Sequence, residues 1–475
     1  MTDDNNHIPK TVGRVHLIAA CGTAMGALAC ILKDAGITVT GSDAHVYPPM
    51  STFLASRGIR LLDGFDPAHL TPRPDLVVVG NTVRSDNPEA VAMREMGLPY
   101  CSLPQALNRF LVADKTALVV TGTHGKTTTA SLLAWVLYHA GLEPSFMIGG
   151  ILKNFDSNYR VGGGSTTVLE GDEYDTAYFD KGPKFHHFRP GIAILTSVEF
   201  DHADIYRDLD HVCEAFSRFT REIPADSLLV ACEGDDTVRR VTREISCRCD
   251  TYGFEAGADW RVADVIVTPP WTQFRLYHRE ALFGTFRSPM MGRHNVSNAA
   301  AVIAAGADLG LTAPVMAAAL EAFSGVRRRQ EIRGVRRGIT VIDDFAHHPT
   351  AVRETLAAAR PHAADGRLIA VFEPRTNSSM RQMFQDAYLE VFDAADLICI
   401  RRPSALHKVP EAERMSSDLL VAGLNDRGLE AHHFEDSDGI IPFLVTRCRP
   451  GDMVLIMSNG GFDNIHERLL ESLEE

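Results

Sequence analysis

The chain has 475 residues, of which 45% are hydrophobic and 23% charged, and its formal net charge is −14. This length is too great for one hydrophobic core and predicts about three domains of roughly 100–200 residues each. The acidic balance argues against a dedicated nucleic-acid or anionic-membrane binder, because the net charge of the whole protein would repel phosphate groups rather than attract them. No apolar run is long enough to cross a bilayer, so we expect no membrane span. Together with the charge, this predicts neither a membrane nor a nucleic-acid partner.

The first residues, MTDDNNHIPK, are polar and acidic, and they lack the basic start and apolar stretch of a secretory signal. We therefore expect a cytoplasmic protein. The 9 cysteines form no C-x-x-C pair, which predicts reduced thiols rather than a disulfide framework.

The N-terminal part of the chain alternates short β-branched runs with helical patterns, which predicts a parallel, doubly wound sheet. A Gly22-x-x-x-Gly26 turn separates the first strand from a helix that ends near Ala35, and Asp43 ends the second strand about 20 residues after the turn. This pattern is Rossmann-like but lacks the full G-x-G-x-x-G. One interpretation is a pyrophosphate on the helix N-terminus, with Asp43 accepting a hydrogen bond from a ribose or base. The other is a tight turn without a ligand.

A second glycine-rich turn follows a later apolar strand, in VVTGTHGKTTT. The strand ends at Val120, the turn runs to Gly125, and an apolar helix starts after Lys126. The loop is shorter than G-x-x-x-x-G-K-[ST], since Val120 stands where the first glycine would be. Even so, glycine lets backbone N–H groups approach phosphate, Lys126 adds a positive charge, and the hydroxyl of Thr127 can bind Mg²⁺. The stretch therefore predicts a nucleotide site.

Further strands and helices continue this second part to about Gly325, and a third part repeats the α/β pattern. The predicted fold class is thus α/β with three domains. They are a Rossmann-like N-terminal domain over residues 1–108, a central P-loop ATPase-type domain over residues 109–325 and a C-terminal Rossmann-like domain over residues 326–475.

Acidic and histidine side chains follow two strands beyond the P-loop. Glu170 ends the strand TTVLE, and its oxygens with that of Thr127 would suit Mg²⁺. The alternative is a solvated acidic turn, EGDEYD, and the pattern alone leaves open which of its carboxylates would bind metal. His202, in EFDHADIY, lies at the carboxyl end of a strand, where ligands gather, although a lone histidine often serves only as a cap or core residue.

Three later segments carry polar side chains suited to a nucleotide or a carboxylate. Asn295 in GRHNVSNAAA could read an adenine edge, or the segment could be a capped helix whose polar groups serve the backbone. The basic run GVRRRQEIRGVRR is either a solvated face or the source of a guanidinium for phosphates. Arg375, just past the strand RLIAVFEP, is a candidate clamp for a carboxylate.

His347 and His348 are adjacent, but no partner spacing supports a transition-metal site.

A set of segments resembles the Mur ligase family over essentially the full length: CGTAMGALA, TGTHGKTTT, VLEGDEYD, SVEFDHADIY, GRHNVSNAAA, DDFAHHPTAV and EPRTNSSMR. SDAHVYPPMSTFL, FDKGPKF and MSNGGF look like the branch of that family that recycles cell-wall tripeptide. The resemblance implies an amide ligase that uses ATP and Mg²⁺ and passes through an acyl phosphate. It implies UDP-N-acetylmuramate as the carboxylate donor and L-alanyl-γ-D-glutamyl-meso-diaminopimelate as the amine. We expect a monomer or weak homodimer.

The resemblance also assigns roles to individual residues. The ATP-binding residues it implies are Gly122, Thr123, His124, Gly125, Lys126, Thr127, Thr128, Asn295, Arg329 (or its neighbour Arg328), Asp344 and His347. The UDP-binding residues it implies are Gly22, Thr23, Gly26 and Asp43. The metal ligands it implies are Thr127, Glu170, with Glu173 as second choice, and His202. The residues it implies in catalysis are Lys126, His202 and Arg375, the last as a clamp for the incoming peptide.

The sequence departs from the usual family pattern at two places. Ala19 and Ala20 stand where glycine and isoleucine are usual, and Gly171 stands where alanine is usual. No lysine occurs between Ala203 and Ala225, where several family members carry a carbamylated lysine. The recycling branch and the branch that adds L-alanine both lack that lysine, so its absence favours these two branches over the others of the family.

Three alternative functions remain. A ligase that adds L-alanine to the same UDP-sugar would need a smaller acceptor pocket. A dinucleotide oxidoreductase built on the first domain would leave the P-loop unexplained. A non-catalytic UDP-sugar sensor is disfavoured by the intact Lys126, Glu170 and His202.

Overall fold

The structure is a computed structural model that describes residues 5–46, 50–363, 365–404 and 406–474. Residues 47–49, inside the segment SDAHVYPPMSTFL, lie outside the described residues. The chain forms two compact units. The first comprises Met1–Val198, Cys213–Tyr252 and Ala301–Ala319, and the second comprises Glu199–Val212, Gly253–Ala300 and Leu320–Glu475.

The first unit begins with a parallel sheet of five strands. They are β1 (Arg14–Ile18), β2 (Thr38–Asp43), β3 (Arg60–Asp63), β4 (Leu76–Val79) and β5 (Tyr100–Ser102). The helices of this part are α1 (Thr23–Asp34), α2 (Met50–Ser56), α3 (Pro88–Glu95) and α4 (Leu103–Leu107). The strand order is β3-β2-β1-β4-β5, with every pair parallel. The order reverses at β1, so the turn after β1 lies at the switch point where ligands bind such sheets.

The next elements contain the P-loop. They are β6 (Thr116–Thr121), α5 (Lys126–His139), β7 (Ser145–Leu152), β8 (Ser157–Arg160), β9 (Thr166–Gly171), β10 (Asp175–Ala177), β11 (Asp180–Pro183), β12 (Pro190–Leu195), α6 (Leu209–Glu222), β13 (Leu228–Cys232), α7 (Asp236–Val241) and β14 (Arg248–Gly253). Seven of these strands follow the order β14-β13-β12-β6-β9-β7-β8, and only β8 is antiparallel to its neighbour. Strands β10 and β11 form a short antiparallel hairpin.

The remaining elements complete the chain. They are β15 (Trp260–Thr268), β16 (Trp271–His278), β17 (Ala281–Ser288), α8 (Arg293–Asp308), α9 (Ala313–Glu321), β18 (Glu331–Arg336), β19 (Ile339–Asp344), α10 (Pro349–Ala359), β20 (Leu368–Phe372), α11 (Gln385–Leu389), β21 (Leu397–Arg401), α12 (Ser417–Asp426), β22 (Ala431–Phe434), α13 (Ser437–Arg447), β23 (Met453–Met457) and α14 (Ile465–Ser472). In the second unit, a six-stranded sheet has the order β18-β19-β23-β20-β21-β22, parallel except for β18.

Alternating residues of this sheet enter two separate hydrophobic cores. On β20, Leu368, Ala370 and Phe372 belong to one core, while Ile369 and Val371 belong to the other. Both faces are therefore covered, as expected of a parallel sheet flanked by helices. This double burial is why the strands read as continuous apolar runs in the sequence, and the α/β class predicted from those runs is confirmed.

The three antiparallel strands β15–β17 were not predicted from the sequence. On β16, Thr272, Phe274 and Leu276 are buried while the residues between them are more exposed. This strand alternates buried with exposed residues, so it lacks the continuous apolar run from which the other strands were predicted. Among the described residues, no helix is both long and apolar enough to span a bilayer.

A buried carboxylate joins several elements of the first sheet. Glu89 on α3 is fully buried, and its Oε2 accepts a hydrogen bond from Ser42 Oγ at 2.5 Å and lies 3.3 Å from His16 Nε2. Its Oε1 lies 2.6 Å from His69 Nδ1. Burial by itself raises the pKa of Glu89, but these side-chain partners outweigh it and lower the pKa below its usual 4.5.

We expect Glu89→Gln to lower the free energy of unfolding by about 1–3 kcal/mol at neutral pH, because the amide cannot satisfy the same donors. A carboxylate whose pKa is depressed by folding stabilises fully above its unfolded value and loses that contribution as the pH falls through its folded value. The difference between variant and wild type should therefore shrink below the usual pKa of 4.5.

Urea unfolding at neutral and acidic pH measures both effects. Glu95→Gln, an exposed position on the same helix, is the matched control and should change neither value. A difference that stays constant into acid would contradict the assignment of a paired, ionised Glu89.

Candidate active site

The P-loop is folded tightly against the end of β12. Gly122 and Gly125 have φ values of 130° and 79°, which favour glycine. A Cβ at Gly122 would also lie 2.8 Å from the carbonyl oxygen of Ser197. The backbone N–H of Thr123 donates to that oxygen at 2.9 Å, and the N–H of His124 donates to Ser197 Oγ at 3.0 Å. Ser197 thus fixes the backbone of the loop. The first turn of α5 presents N–H groups that lack intrahelical acceptors.

Lys126 is held within the loop by carbonyl and carboxylate oxygens. Its Nζ donates to Gly122 O at 2.6 Å, to Thr123 O at 3.2 Å and to Glu173 Oε1 at 2.9 Å. Burial by itself lowers the pKa of Lys126, but the Glu173 carboxylate, together with Asp172 and Glu170, raises it above the usual value. The lysine therefore carries a positive charge at the loop.

Thr127, in the first turn of α5, lies beside Glu170 near the end of β9. Thr127 Oγ1 donates to Glu170 Oε1 at 2.9 Å, and the N–H of Gly149 donates to Glu170 Oε2 at 2.7 Å. A Cβ at Gly149 would lie 2.9 Å from Glu170 Oε2, so glycine permits this approach. A hydroxyl and a carboxylate side by side are oxygen ligands of the kind that Mg²⁺ prefers, so the residues present fit that ion.

The other carboxylates of the acidic turn have different partners. Glu173 pairs with Lys126, Asp172 lies 2.7 Å from Lys184 Nζ, and Asp175 lies 3.2 Å from Lys181 Nζ. Of the two carboxylates considered for the metal, Glu170 is therefore the one beside Thr127. Gly171, the departure in this turn, is tightly enclosed, since a Cβ there would lie 2.9 Å from Val119 Cγ1.

The glycine turn of the first sheet is shaped by Asp43. Gly22 is the N-cap of α1, which begins at Thr23, and Asp43 Oδ2 accepts a hydrogen bond from the backbone N–H of Cys21 at 2.8 Å. Gly26 lies on the same helix, where a Cβ would lie 2.7 Å from Met50 Sδ. The four residues expected at UDP thus converge on one turn, in which one Asp43 oxygen supports the backbone.

His202 lies in a loop of the second unit beside a buried aspartate. Its φ is 54°, and its N–H donates to Asp201 Oδ1 at 2.7 Å. Asp201 Oδ2 is 3.8 Å from His347 Nε2, which brings two of the predicted residues to one carboxylate. Burial by itself raises the pKa of Asp201, but His347 and the charges of His202 and His348 hold it well below its usual range. His348 caps α10, where its Nδ1 accepts from Thr350 N at 3.3 Å.

Asn295, Arg329 and Asp344 gather around Gln330. Asn295 Nδ2 donates to Met291 O at 2.8 Å and to Gln330 Oε1 at 3.0 Å. The N–H of Gln330 donates to Asp344 Oδ2 at 2.8 Å, and burial raises the pKa of that carboxyl. The Arg329 guanidinium lies 4.5 Å from the centre of the Phe345 ring. The amide of Asn295 is thus used by protein partners, and Gln330, which the sequence did not single out, links the group.

Arg375 presents a half-exposed guanidinium just beyond β20. Its side chain is 42% exposed, and Nη1 lies 3.9 Å from the fully buried Glu373. Among the described residues this guanidinium donates no hydrogen bond to a protein acceptor. Glu373 in turn binds Arg401, which ends β21. Glu373 and Arg401 were not predicted as site residues, and their signal in the sequence is a charged residue at the end of each apolar strand.

Comparisons with known proteins cover nearly all of the chain. Models of the Mur ligase family catalytic domain, the Mur ligase middle domain and the Mur ligase glutamate ligase domain match residues 14–115, 120–306 and 327–460. The UDP-N-acetylmuramate–L-alanyl-gamma-D-glutamyl-meso-2,6-diaminoheptandioate ligase of Escherichia coli K12 is 38% identical over 461 residues, or 97% of this chain and 98% of that protein. A UDP-N-acetylmuramate–L-alanine ligase of Myxococcus xanthus is 33% identical over 465 residues, or 98% of this chain and 96% of that protein.

A solved structure gives the same result. The murein peptide ligase of Psychrobacter arcticus superposes with a TM-score of 0.71 and 34% identity, covering 97% of this chain and 99% of that one. Three α/β domains match in order and the similarity runs from end to end. The chain therefore belongs to the Mur ligase family.

Proposed function

We propose that the protein is an ATP-dependent ligase that joins UDP-N-acetylmuramate to L-alanyl-γ-D-glutamyl-meso-diaminopimelate in the recycling of cell-wall peptide. The carrying observation is the 38% identity, over 97% of this chain, to the ligase named for those substrates. The L-alanine ligase of Myxococcus xanthus, which represents the nearest rival activity, reaches 33%. The reaction forms an amide bond at the expense of ATP.

The chemistry begins with activation of the donor. The lactyl carboxylate oxygen attacks the γ-phosphorus of ATP, ADP leaves, and an acyl phosphate forms. The peptide amine then attacks the acyl carbon and expels phosphate, and the amine loses a proton. Lys126 would offset the negative charge that develops on the transferring phosphoryl group.

Thr127 and Glu170 would hold Mg²⁺, and their 2.9 Å oxygen contact supports this assignment. A bound Mg²⁺ supplies charge neutralisation for phosphate oxygens. His202 is proposed as a further ligand on family resemblance, and its neighbours Asp201 and His347 bring a carboxylate and a second imidazole to the same loop region.

The two other substrates would occupy separate places in the chain. The turn of Gly22, Thr23 and Gly26 would bind UDP, with Asp43 supporting it. Arg375 would bind a carboxylate of the acceptor peptide, because a guanidinium offers a planar fork that matches a carboxylate. We place the reaction in the cytoplasm, which the nine free cysteines support.

Purified protein with ATP, Mg²⁺ and UDP-N-acetylmuramate should release phosphate when the tripeptide is added and remain silent with free L-alanine. A phosphate-release assay with each acceptor separates the two branches. Turnover with L-alanine alone would assign the protein to the biosynthetic branch. Silence with both acceptors would favour the non-catalytic sensor.

Lys126→Ala should lower kcat about 10²–10³-fold, because a preorganised positive charge at the phosphoryl group is lost. Lys181→Ala is the matched control, since Lys181 also pairs with a carboxylate of the EGDEYD turn but is 71% exposed. Calorimetric binding of UDP-N-acetylmuramate should be unchanged in both variants. Normal turnover of Lys126→Ala would rule out the proposed role.

Arg375→Ala should raise the KM for the tripeptide roughly 10- to 100-fold, since a hydrogen-bonded charge pair contributes about 1.5–3 kcal/mol. The KM values for ATP and UDP-N-acetylmuramate should not change. Steady-state kinetics with each substrate varied in turn makes the comparison. An unchanged tripeptide KM would remove Arg375 from the acceptor site.

A further inference from the structure

Three neighbouring strands of the six-stranded sheet end in polar residues that contact one another. Strand β20 lies between β21 and β23 and is parallel to both. Glu373 directly follows β20, Arg401 ends β21, and Ser458 directly follows β23. Because parallel strands share one direction, these residues meet at a single edge of the sheet.

Glu373 is the centre of this group. It is fully buried, its Oε1 accepts from Arg401 Nη1 at 2.5 Å, and its Oε2 accepts from Ser458 Oγ at 2.6 Å. An unpaired carboxylate would be costly at such a depth, so both oxygens are used. A buried pair of this kind adds little net stability, but it fixes geometry because neither partner can move alone.

Arg375 rests on the structure that Glu373 holds. Its Nη1 lies 3.9 Å from Glu373 Oε2, and its side chain packs over Gly460, where a Cβ would lie 2.5 Å from Arg375 Cδ. The N–H of Gly460 donates to Ser458 Oγ at 3.0 Å. Glu373 therefore contacts the Arg375 guanidinium directly. Through Ser458 it also holds Gly460, on which the Arg375 side chain packs.

Arg401 fixes a second part of the same edge. Its Nη2 lies 2.8 Å from Asp463 Oδ2. Asp463 and its neighbours Phe462 and Asn464 have φ values of 52°, 45° and 53°, an unusual run for residues other than glycine. The Arg401 side chain is only 8% exposed, so it is enclosed by protein, whereas Arg375 faces outward.

We propose that Arg401 and Glu373 are positioning residues for the acceptor peptide. They hold Arg375 and the segment from Gly460 to Asp463 in the arrangement that binds the acceptor's carboxylate. This inference rests on the proposed function. It adds that acceptor affinity depends on a buried ion pair that does not itself touch the peptide.

The test compares this buried pair with the exposed pair beside it. Glu373→Gln and Arg401→Lys should each raise the tripeptide KM about tenfold, because a displaced Arg375 would lose one charged hydrogen bond to the peptide. Lysine keeps the charge at position 401 but lacks the fork that reaches both Glu373 and Asp463. Arg402→Lys and Glu435→Gln alter the adjacent pair, whose side chains are 56% and 65% exposed, and should leave the KM unchanged.

A partial reaction separates positioning from loss of folding. Without acceptor, acyl phosphate formed from ATP and UDP-N-acetylmuramate is trapped with hydroxylamine. The buried-pair variants should form it at the wild-type rate. Ser458→Ala, a milder change in the same group, should raise the tripeptide KM by a smaller factor and serves if a charged variant does not fold.

A double-mutant cycle decides whether the pair acts through Arg375. In an Arg375→Ala background, Glu373→Gln should add no further increase in the tripeptide KM, because Glu373 acts on the peptide through Arg375, which that background lacks. An equal increase in both backgrounds, or an unchanged KM in Arg401→Lys, would overturn the inference while leaving the proposed function intact. A wild-type protein inactive with the tripeptide would refute both.

Discussion

The candidate site depends on the parallel pairing of buried strands. Parallel hydrogen bonding aligns the strand directions, so the residues at their carboxyl ends meet at one edge. In the first unit, Val120 of β6 pairs with Glu170 of β9, and this register brings Glu170 to the start of the P-loop. In the second unit the same constraint unites Glu373 and Arg401. Backbone pairing of apolar strands thus sets the positions of charged side chains.

Charged groups at these edges are held in pairs. Lys126 with Glu173 and Arg401 with Glu373 are both strongly buried, and each charge compensates the other. Such pairs contribute little to net stability, since desolvation offsets attraction, but removing one partner leaves an uncompensated charge. The pairs therefore restrict which geometries are available to the loops beside them.

Sequence reasoning succeeded where the information was local. The apolar runs, the two glycine turns and the residues at strand ends could all be read from short segments, and the α/β class followed. The proximity of Thr127, which follows the P-loop, to Glu170, which lies at a strand end, was also predicted, while their role as metal ligands stays a prediction. The Glu373–Arg401 pair could not be predicted in this way, because its partners lie 28 positions apart at the ends of two different strands, and only the pairing of those strands brings them together. Strands β15–β17 were missed because they alternate apolar with polar residues.

The internal partners of Lys126 affect the free energy that this loop could gain from binding a phosphate. The ammonium group already has the carbonyl oxygens of Gly122 and Thr123 and the carboxylate of Glu173 as partners. A phosphate that engages Lys126 must therefore exchange one set of oxygens for another, and the net gain is only the difference between them. The same exchange would run in reverse on release of ADP, since Glu173 lies within 2.9 Å of the lysine. If Lys126 binds phosphate as proposed, its internal oxygen partners would lower the net gain from binding ADP and so favour release of the product.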